Sequence, residues 1–358
     1  MVSRAASLPE TNTASRIDSG MAADIERPPC RMPRLGFLGV GWIGRHRLQS
    51  IAKSGLAKIV ALADFNFAVA TAAAEEFGSM PVQSLEKLLE LNLDGVVIAT
   101  PTALHTEHAI AALESGLPVF CQKPLGRTAA ETCRVIEAAR QANRLLALDM
   151  SYRFVRGVKK IKELVKAGAI GEIYAMDLVF HNAYGPDKPW YYDPLLSGGG
   201  CVIDLGIHLV DMALWILDFA TVEHVSSRLF ARGRLMKRGE RALEDYAVAR
   251  LDFCSGATAQ LSCSWRLPAG RDAIIRVVLY GTDGGLAIRN VGGSFYDFRT
   301  EQFIGTSRKT LDEPPDDWGG RAALAWVNHL RESSKYDPEI ERAEKVAEVI
   351  DAIYGCNK

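Results

Sequence analysis

The sequence lacks the features of a membrane-bound or secreted protein. No apolar run in its 358 residues reaches the length of a transmembrane helix, and the first thirty residues have no apolar signal-peptide core. That stretch is polar and rich in small residues, so we predict a disordered tail over residues 1–32, with Met21 and Met32 as alternative starts. No membrane partner is expected.

Paired cysteines and an excess of one charge are also missing. The seven cysteines are odd in number and scattered, and no Cys-x-x-Cys occurs. They indicate free thiols in a reducing, cytoplasmic compartment and argue against disulfides or a zinc site, so no metal is expected. Lys and Arg number 42 and Asp and Glu number 43, with no long basic run, which argues against nucleic acid as the main partner.

Residues 33–150 alternate short apolar runs with helical stretches. The runs RLGFLGV, KIVALAD, DGVVIAT, PVFCQ and RLLALD are predicted strands, and short connections join them to helices. Ser84 can cap one helix, and Thr128 with Glu131 has the spacing of a capping box. The alternation is typical of a parallel sheet wound with crossover helices, so we predict an α/β domain here.

Residues 151–358 follow another pattern. An amphipathic helix, a strand, a loop rich in Gly, Pro and aromatics, and a helix over 201–217 come first. Several strand-like runs with short turns follow between 222 and 288, among them a hairpin at Asp283-Gly284, and helices end the chain near 321–334 and 338–354. They predict a second, α+β domain with an open, mostly antiparallel sheet.

A glycine motif marks the start of the first helix. GVGWIG places Gly39, Gly41 and Gly44 in a G-x-G-x-x-G spacing directly after a strand. In a dinucleotide site the first glycine permits the tight turn, the second lets the pyrophosphate approach, and the third lets helix and strand pack closely. Trp42 and Ile43, inside the motif, join the predicted cofactor residues. A tight turn without a ligand is the alternative.

Asp64 ends the second predicted strand, twenty positions after Gly44. A carboxylate there accepts hydrogen bonds from the adenosine ribose and repels a 2′-phosphate. Phe65 and Asn66 follow, and not an arginine, so NAD is favoured over NADP as the cofactor.

Two further strand ends point to the same groove, because ligands of such sheets bind outside the carboxyl ends of the strands. Thr100, Pro101 and His105 follow the DGVVIAT strand, and packing against its own helix is an equal alternative for His105. Lys123 follows the PVFCQ strand and precedes Pro124, which places a cation near the expected nicotinamide. A surface lysine after a strand is the alternative.

The other group of polar residues lies in GGGCVIDLGIHLVDMALWIL. Asp204 and His208 are four apart and Asp211 is three further on, so a helix would put them on one face. A histidine held by a carboxylate is a candidate general base, and a buried histidine bonded only for structure is the alternative. The glycines at 198–200 would let the backbone pass close to a ligand.

Together these segments resemble the Gfo/Idh/MocA oxidoreductases, named for glucose–fructose oxidoreductase, inositol dehydrogenase and a rhizopine catabolism protein. In order, and over most of the chain after the tail, the matching segments are GVGWIGRH, Asp64, ATPTALH, CQKPLG, SYRF, GGGCVIDLGIH and YGTDGGL. The resemblance implies a Rossmann domain followed by an open antiparallel α/β domain. That second domain would form the substrate wall and, through its sheet, a homo-oligomer, either a dimer or a tetramer.

The resemblance also implies site residues. Lys123, Asp204 and His208 match the group that surrounds the substrate carbon in the family, and Arg153 of SYRF matches a position that often contacts substrate. Around the substrate the implied residues are Lys123, Arg153, Trp190, Tyr191, Asp204 and His208. Gln122, counted here with the cofactor residues, stands where the family motif has a glutamate, so a carboxylate beside Lys123 is missing. A cis bond before Pro124 is a further family expectation.

These residues predict an NAD-dependent enzyme that oxidises a secondary hydroxyl of a sugar, sugar derivative or cyclitol. His208, oriented by Asp204, would take the hydroxyl proton while Lys123 stabilises the developing negative charge. Tyr192 and Asp193 are further candidates to bind substrate hydroxyls. Two alternatives stay open: an enzyme that retains NAD in a net non-redox glycoside cleavage or epimerisation, and a dinucleotide-binding sensor without turnover.

Overall fold

The first half of the chain forms a parallel sheet. The computed structural model describes residues 32–237, 240 and 242–355. Residues 1–31 of the tail predicted over 1–32, with Cys30, and also Cys356 lie outside the described residues. The sheet has six strands in the order β3-β2-β1-β4-β5-β6. They are β1 (Arg34–Leu38), β2 (Lys58–Ala63), β3 (Met80–Val82), β4 (Gly95–Ile98), β5 (Val119–Cys121) and β6 (Leu146–Leu148). Because the strand order reverses beside β1, a crevice opens at the carboxyl ends of β1 and β4.

Five helices cover this sheet: α1 (Trp42–Ser54), α2 (Phe67–Phe77), α3 (Leu85–Leu89), α4 (Thr102–Glu114) and α5 (Ala129–Ala142). The Thr128 hydroxyl accepts from Glu131 N at 3.1 Å as predicted, but the Glu131 carboxylate accepts from Arg127 N, so only half of the capping box forms. The edge strand β3 was not predicted. It is short and contains Pro81, which weakens its strand pattern.

The second sheet has nine strands in the order β15-β14-β13-β12-β7-β11-β10-β8-β9. They are β7 (Ile173–Asn182), β8 (Val222–Ala231), β9 (Arg234–Leu235), β10 (Tyr246–Phe253), β11 (Thr258–Ser264), β12 (Ala273–Gly281), β13 (Gly285–Asn290), β14 (Phe298–Ile304) and β15 (Ser307–Asp312). The pair β7–β11 is parallel and the other pairs are antiparallel, which confirms the predicted fold class. A hairpin joins β12 and β13 at Asp283-Gly284, as predicted.

The remaining helices are α6 (Arg156–Lys166), α7 (Pro194–Ser197), α8 (Ile207–Ile216), α9 (Arg321–Glu332) and α10 (Arg342–Tyr354). Helices α6, α8 and α10 pack on the second sheet in one apolar core. Helix α9 instead returns to the first sheet, where Trp326 packs 5.7 Å from the Phe120 ring and shares a core with β1 and α1. The sequence-based division at residue 150 had assigned this helix to the second domain.

One described helical stretch, Pro194–Ile216, has the length and mean hydropathy, 1.5, of a membrane span. The sequence prediction that no run reaches this length therefore needs correction. Within the most apolar 18-residue window of this stretch, 89% is buried inside the protein, which is typical of a core helix. The stretch joins α7, a π-helical turn over Val202–Gly206, and α8.

Candidate active site

A cavity of about 780 Å³ opens at the carboxyl ends of the first sheet, and residues between 151 and 319 line its far side. Fourteen of the predicted site residues line it: Gly39, Gly41, Trp42, Ile43, Asp64, Thr100, Pro101, His105, Gln122, Lys123, Trp190, Tyr191, Asp204 and His208. Gly44 and Arg153 do not. The cavity therefore joins a nucleotide end, around the glycine motif, to a reaction end, around Lys123 and His208.

The three glycines meet different surroundings. Gly39 has a φ of 88°, and a Cβ there would lie 2.5 Å from Ala99 O, so only glycine fits this turn. A Cβ on Gly41 would meet nothing within 4 Å, which leaves the backbone at the start of α1 open to the cavity. A Cβ on Gly44 would overlap Gly39 O. This arrangement fits a pyrophosphate at the N-terminus of α1, with Gly44 packing helix on strand and touching no ligand.

Asp64 lines the nucleotide end of the cavity. Its Oδ2 accepts from Val40 N at 2.9 Å and its Oδ1 from Asn66 N at 3.0 Å, so the backbone holds the carboxylate in one orientation. Each oxygen keeps a lone pair for a ligand. Phe65, beside it, is fully exposed and uncharged. The residues at this position therefore fit an adenosine ribose.

His105 lines the cavity but is held by the protein itself. Its Nδ1 lies 2.6 Å from Pro124 O and its Nε2 lies 2.7 Å from Thr100 O, so the ring joins the segments that follow β5 and β4. It is 1% exposed, and burial lowers the pKa of His105. These contacts favour the packing alternative for His105 over a direct cofactor contact.

Lys123 is tied to the helix that carries Asp204. Its Nζ donates to Asp204 O at 2.6 Å and to Asp204 Oδ1 at 2.9 Å. Trp265 Nε1 donates to Asp204 Oδ2 at 3.0 Å, so both carboxylate oxygens are occupied. An ammonium has three N–H groups, and one of those on Lys123 has no partner in the described part of the chain. The peptide bond between Lys123 and Pro124 is cis.

His208 is not held by Asp204, which corrects the predicted pair. The imidazole has no hydrogen-bond partner among residues 32–237, 240 and 242–355, and its nearest aromatic neighbour is Tyr152, with ring centroids 4.7 Å apart. Asp204 lies in the π-helical turn before α8, and its carboxylate is bonded to Lys123 and Trp265. Burial, and then the charges of Lys123 and Arg47, hold the pKa of His208 well below 6.5, so its ring is neutral at pH 7.

Arg153 and Asp211 pair with each other away from the cavity. Arg153 Nε donates to Asp211 Oδ2 at 2.9 Å and its Nη2 to Asp211 Oδ1 at 2.5 Å, and the guanidinium lies over the Phe219 ring. Successive side chains point in different directions in the short 3₁₀ turn Ser151–Phe154. Its neighbour Tyr152 therefore lines the cavity where Arg153 was predicted to do so.

The glycines at 198–200 approach protein atoms and do not line the cavity. A Cβ on Gly199 would overlap the Tyr354 hydroxyl, and one on Gly200 would overlap Glu244 O. Glu244 Oε1 accepts from Gly200 N at 3.0 Å and from Val202 N at 2.9 Å. These glycines therefore let the start of the helix seat on Glu244 and Tyr354, which corrects the expected approach to a ligand.

An aromatic pair forms one wall of the reaction end. The rings of Trp190 and Tyr191 stack with centroids 3.8 Å apart, and both line the cavity. Tyr192 and Asp193 do not line it, because the Tyr192 hydroxyl donates to Pro186 O at 2.8 Å and Asp193 Oδ1 accepts from Leu195 N at 2.9 Å. Both side chains stabilise the loop, which corrects their predicted contact with substrate.

Three residues near the reaction end were not predicted from the sequence. Arg47 and Tyr152 line the cavity, and Asp149 is buried behind it, bonded to Arg47 Nε at 2.5 Å and to Gln122 Nε2 at 3.0 Å. Asp149 had a usable signal, because it directly follows a predicted strand just as Asp64 does. Arg47 had none, since its role depends on a residue 102 positions away.

Two family models match the chain. Residues 33–150 match the oxidoreductase family with an NAD-binding Rossmann fold, and residues 158–287 match the GFO/IDH/MocA C-terminal domain. Among similar proteins, the D-glucoside 3-dehydrogenase of Escherichia coli K12 is 26% identical over 90% of this chain and 94% of its own. The myo-inositol 2-dehydrogenase of Thermotoga maritima is 30% identical over 72% of this chain and 75% of its own.

Solved structures share the fold. A levoglucosan dehydrogenase in complex with NADH and levoglucosan has a TM-score of 0.78 at 22% identity, covering 91% of this chain and 97% of that one. A 3-ketoreductase from Actinomadura kijaniata, in complex with NADP and TDP-benzene, has a TM-score of 0.79 at 22% identity, covering 90% and 97%. The fold therefore occurs with either nucleotide. The predicted family, fold class and enzyme class are confirmed, and the chain belongs to the GFO/IDH/MocA family of NAD(P)-dependent oxidoreductases.

Proposed function

We propose that this protein oxidises a secondary hydroxyl of an uncharged sugar or cyclitol, with NAD as the cofactor. One observation carries the proposal: a single cavity joins the glycine motif to Lys123 and His208. Within the part of the chain that the structure describes, one N–H of Lys123 has no partner, and the neutral His208 ring makes no hydrogen bond. When bound, NAD supplies the acceptor for the hydride that leaves the substrate carbon.

The protein's own groups supply the proton chemistry. Neutral His208 accepts the hydroxyl proton, because its depressed pKa keeps it in the basic form at neutral pH. The remaining N–H of Lys123 donates to the same substrate oxygen and stabilises the negative charge that develops there. Asp204 holds the Lys123 ammonium through two hydrogen bonds and so orients that donor. Lys123 and His208 are the proposed catalytic residues, and Asp204 is proposed as a positioning residue.

The choice of NAD is supported by charge at the nucleotide end. The Asp64 carboxylate faces the cavity, and the two residues after it, Phe65 and Asn66, carry no positive charge. A 2′-phosphate would meet the carboxylate without a cation to balance it. We expect tighter binding of NAD than of NADP, measured by calorimetric titration of both nucleotides.

The uncharged substrate is supported by charge at the reaction end. Among described residues, the Arg and Lys side chains that line the cavity each have an acidic partner: Arg47 with Asp149, Lys123 with Asp204, and Lys188 with Asp187 at 3.0 Å. A phosphate or carboxylate on the substrate would find no unpaired cation here. The stacked rings of Trp190 and Tyr191 offer an apolar surface to the C–H face of a sugar ring.

A substrate panel tests this function. Purified protein is incubated with NAD and with a methyl glucoside, levoglucosan, myo-inositol and glucose 6-phosphate, and NADH absorbance is followed. We expect NADH with at least one neutral compound and none with the phosphate. A changed sugar without free NADH would instead support the NAD-retaining alternative, and tight NAD binding with no change in any compound would support the sensor.

The open face of the second sheet supports an oligomer. A pocket on this sheet is lined by polar and charged residues, among them Arg228, Arg250, Gln260 and Arg276. We propose that copies of the chain associate through this face as a dimer or tetramer. Light scattering during size-exclusion chromatography measures the mass directly, and a monomer at micromolar concentration would overturn this part of the proposal.

A further inference from the structure

A buried carboxylate lies behind the reaction end of the cavity. Asp149 follows β6, is 0% exposed and does not line the cavity. Its Oδ2 accepts from Arg47 Nε at 2.5 Å and from Gln122 Nε2 at 3.0 Å, while its Oδ1 has no partner among the described residues. Arg47 is 4% exposed, so the two residues form a buried ion pair, a type of pair in which each charge needs its partner.

Gln122 connects this ion pair to Lys123. Its Nε2 donates to Asp149, while its Oε1 accepts from Lys123 N at 2.9 Å. The position therefore needs a donor on one side and an acceptor on the other. An amide has both, whereas an ionised glutamate has acceptors only.

We propose that Asp149, held by Arg47, is a second carboxylate that positions Lys123. Asp204 holds the ammonium, whereas Asp149 acts on the Lys123 backbone N–H through the amide of Gln122. A glutamate at position 122 would set a second carboxylate within hydrogen-bond distance of Asp149. The hydrogen-bond pattern therefore requires an amide at position 122 together with the carboxylate at position 149. Asp149 is a positioning residue, because it does not touch the cavity, and the inference rests on the proposed role of Lys123.

Other charged and titratable groups surround Arg47, Asp149 and Lys123. They are His46 from α1, His105 from α4, Cys121 from β5, Asp204 and His208, Tyr296 before β14, and Asp317 before α9. Of the carboxylates, Asp204 is already bonded to Lys123, and Asp149 alone bonds to Gln122. A new carboxylate at 122 would thus meet Asp149 first, and two such groups side by side retain one proton between them.

Gln122→Glu tests the inference through its pH dependence. At low pH the shared proton lets one carboxyl group donate to the other, so the bond pattern around Lys123 survives. As the pH rises the proton is lost, the two carboxylates repel, and the side chain at 122 no longer fixes the position of the Lys123 backbone N–H. We expect kcat relative to the wild type to fall at least about tenfold between about pH 6 and pH 9.

Three variants separate charge from packing. Gln122→Glu combined with Asp149→Asn again leaves one carboxylate in the pair, and we expect the pH-dependent loss to disappear. Gln122→Met removes both hydrogen bonds without adding charge, so kcat should fall by a similar factor at every pH. Gln141→Glu is the matched control, because Gln141 Nε2 donates to Glu137 Oε1 at 2.9 Å on the exposed surface of α5. The pH profile of kcat in Gln141→Glu should equal that of the wild type.

The inference is overturned if Gln122→Glu keeps the wild-type pH profile, or if the double variant loses activity with pH as the single variant does. If Gln122→Glu fails to fold, the kcat of Gln122→Met tests the inference instead. A kcat equal to that of the wild type in this variant would overturn it. Lys123→Ala distinguishes the two levels of proposal. Full activity in Lys123→Ala contradicts the proposed function itself, whereas an inactive Lys123→Ala with an unaltered Gln122→Glu contradicts only the role of Asp149.

Discussion

The nucleotide end and the reaction end of the cavity differ in how far along the chain their residues find partners. Asp64 is held by Val40 N and Asn66 N, within one strand–helix–strand segment. Lys123 is held by Asp204, 81 residues away, and Arg47 by Asp149, 102 residues away. The first end depends on local backbone geometry, and the second depends on which distant side chains meet.

This difference explains where prediction succeeded. The predicted residues of the nucleotide end line the cavity, apart from Gly44, whose predicted part was helix packing. At the reaction end the same residue types line the cavity, but the pairs differ. Asp204 holds Lys123 and not His208, and Arg153 is bonded to Asp211 outside the cavity. The motifs predicted which residues line the cavity, but they did not predict which of these residues bond to each other.

We expect His208→Ala to have the largest effect and to change the reaction end of the cavity without changing the nucleotide end. We expect kcat to fall about thousandfold, because a general base contributes roughly 10²–10⁴-fold, while NAD affinity stays unchanged. Steady-state kinetics and calorimetric NAD titration measure the two quantities. His329→Ala, on α9 and outside the cavity lining, is the control and should behave as the wild type. An equal loss of NAD affinity in His208→Ala would mean that the two ends are not separate.

Asp211→Asn tests whether Arg153 belongs to the reaction end. Because it leaves a largely buried guanidinium without its partner, we expect about 3 kcal/mol less free energy of unfolding, measured in urea. The KM for substrate should not change, since neither residue lines the cavity. Glu107→Gln, which breaks the exposed pair with Arg134, should leave the stability nearly unchanged. A raised KM in Asp211→Asn would indicate that Arg153 contributes to substrate binding.

Gly41→Ala tests the nucleotide end of the cavity. The new methyl group meets no protein atom, so the fold should be unaffected, but it lies where the backbone is open to a pyrophosphate. We expect the Kd for NAD to rise at least about tenfold, equivalent to about 1.4 kcal/mol, with an unchanged Tm of the free protein. Gly44→Ala is the converse control, because its methyl group overlaps Gly39 O and should lower the Tm instead.

The pH profile of oxidation should report the environment of His208. Since burial and the nearby cations hold the pKa of His208 well below 6.5, the ring loses its basic form only at lower pH. We expect kcat/KM to stay constant as the pH falls to 6.5 and to decline only below it. The same depressed pKa costs stability at acid pH, because the unfolded chain takes up this proton first. An acid limb at or above 6.5 would indicate that another group acts as the base.

Several sequence patterns carried enough information to predict their structures. The alternation of strands and helices, the hairpin at Asp283-Gly284 and the Thr128 cap depend on neighbours within a few positions, and all three are present. Strands β14 and β15, which were missed, have no regular alternation of buried and exposed residues to mark them. Helix α9 was located correctly, but its amphipathic pattern could not indicate which sheet it would cover.

The sequence by itself determined the glycine turn, the acidic residue that follows β2 and the position of Lys123 after its strand. These features follow from local backbone sterics and from the rule that parallel strands end at a common edge. Only the tertiary structure decided that the Asp204 carboxylate is bonded to Lys123 and Trp265 and not to His208, and that Asp149 meets Gln122. These contacts join segments far apart in the chain, and their partners are selected by packing, which no local pattern records.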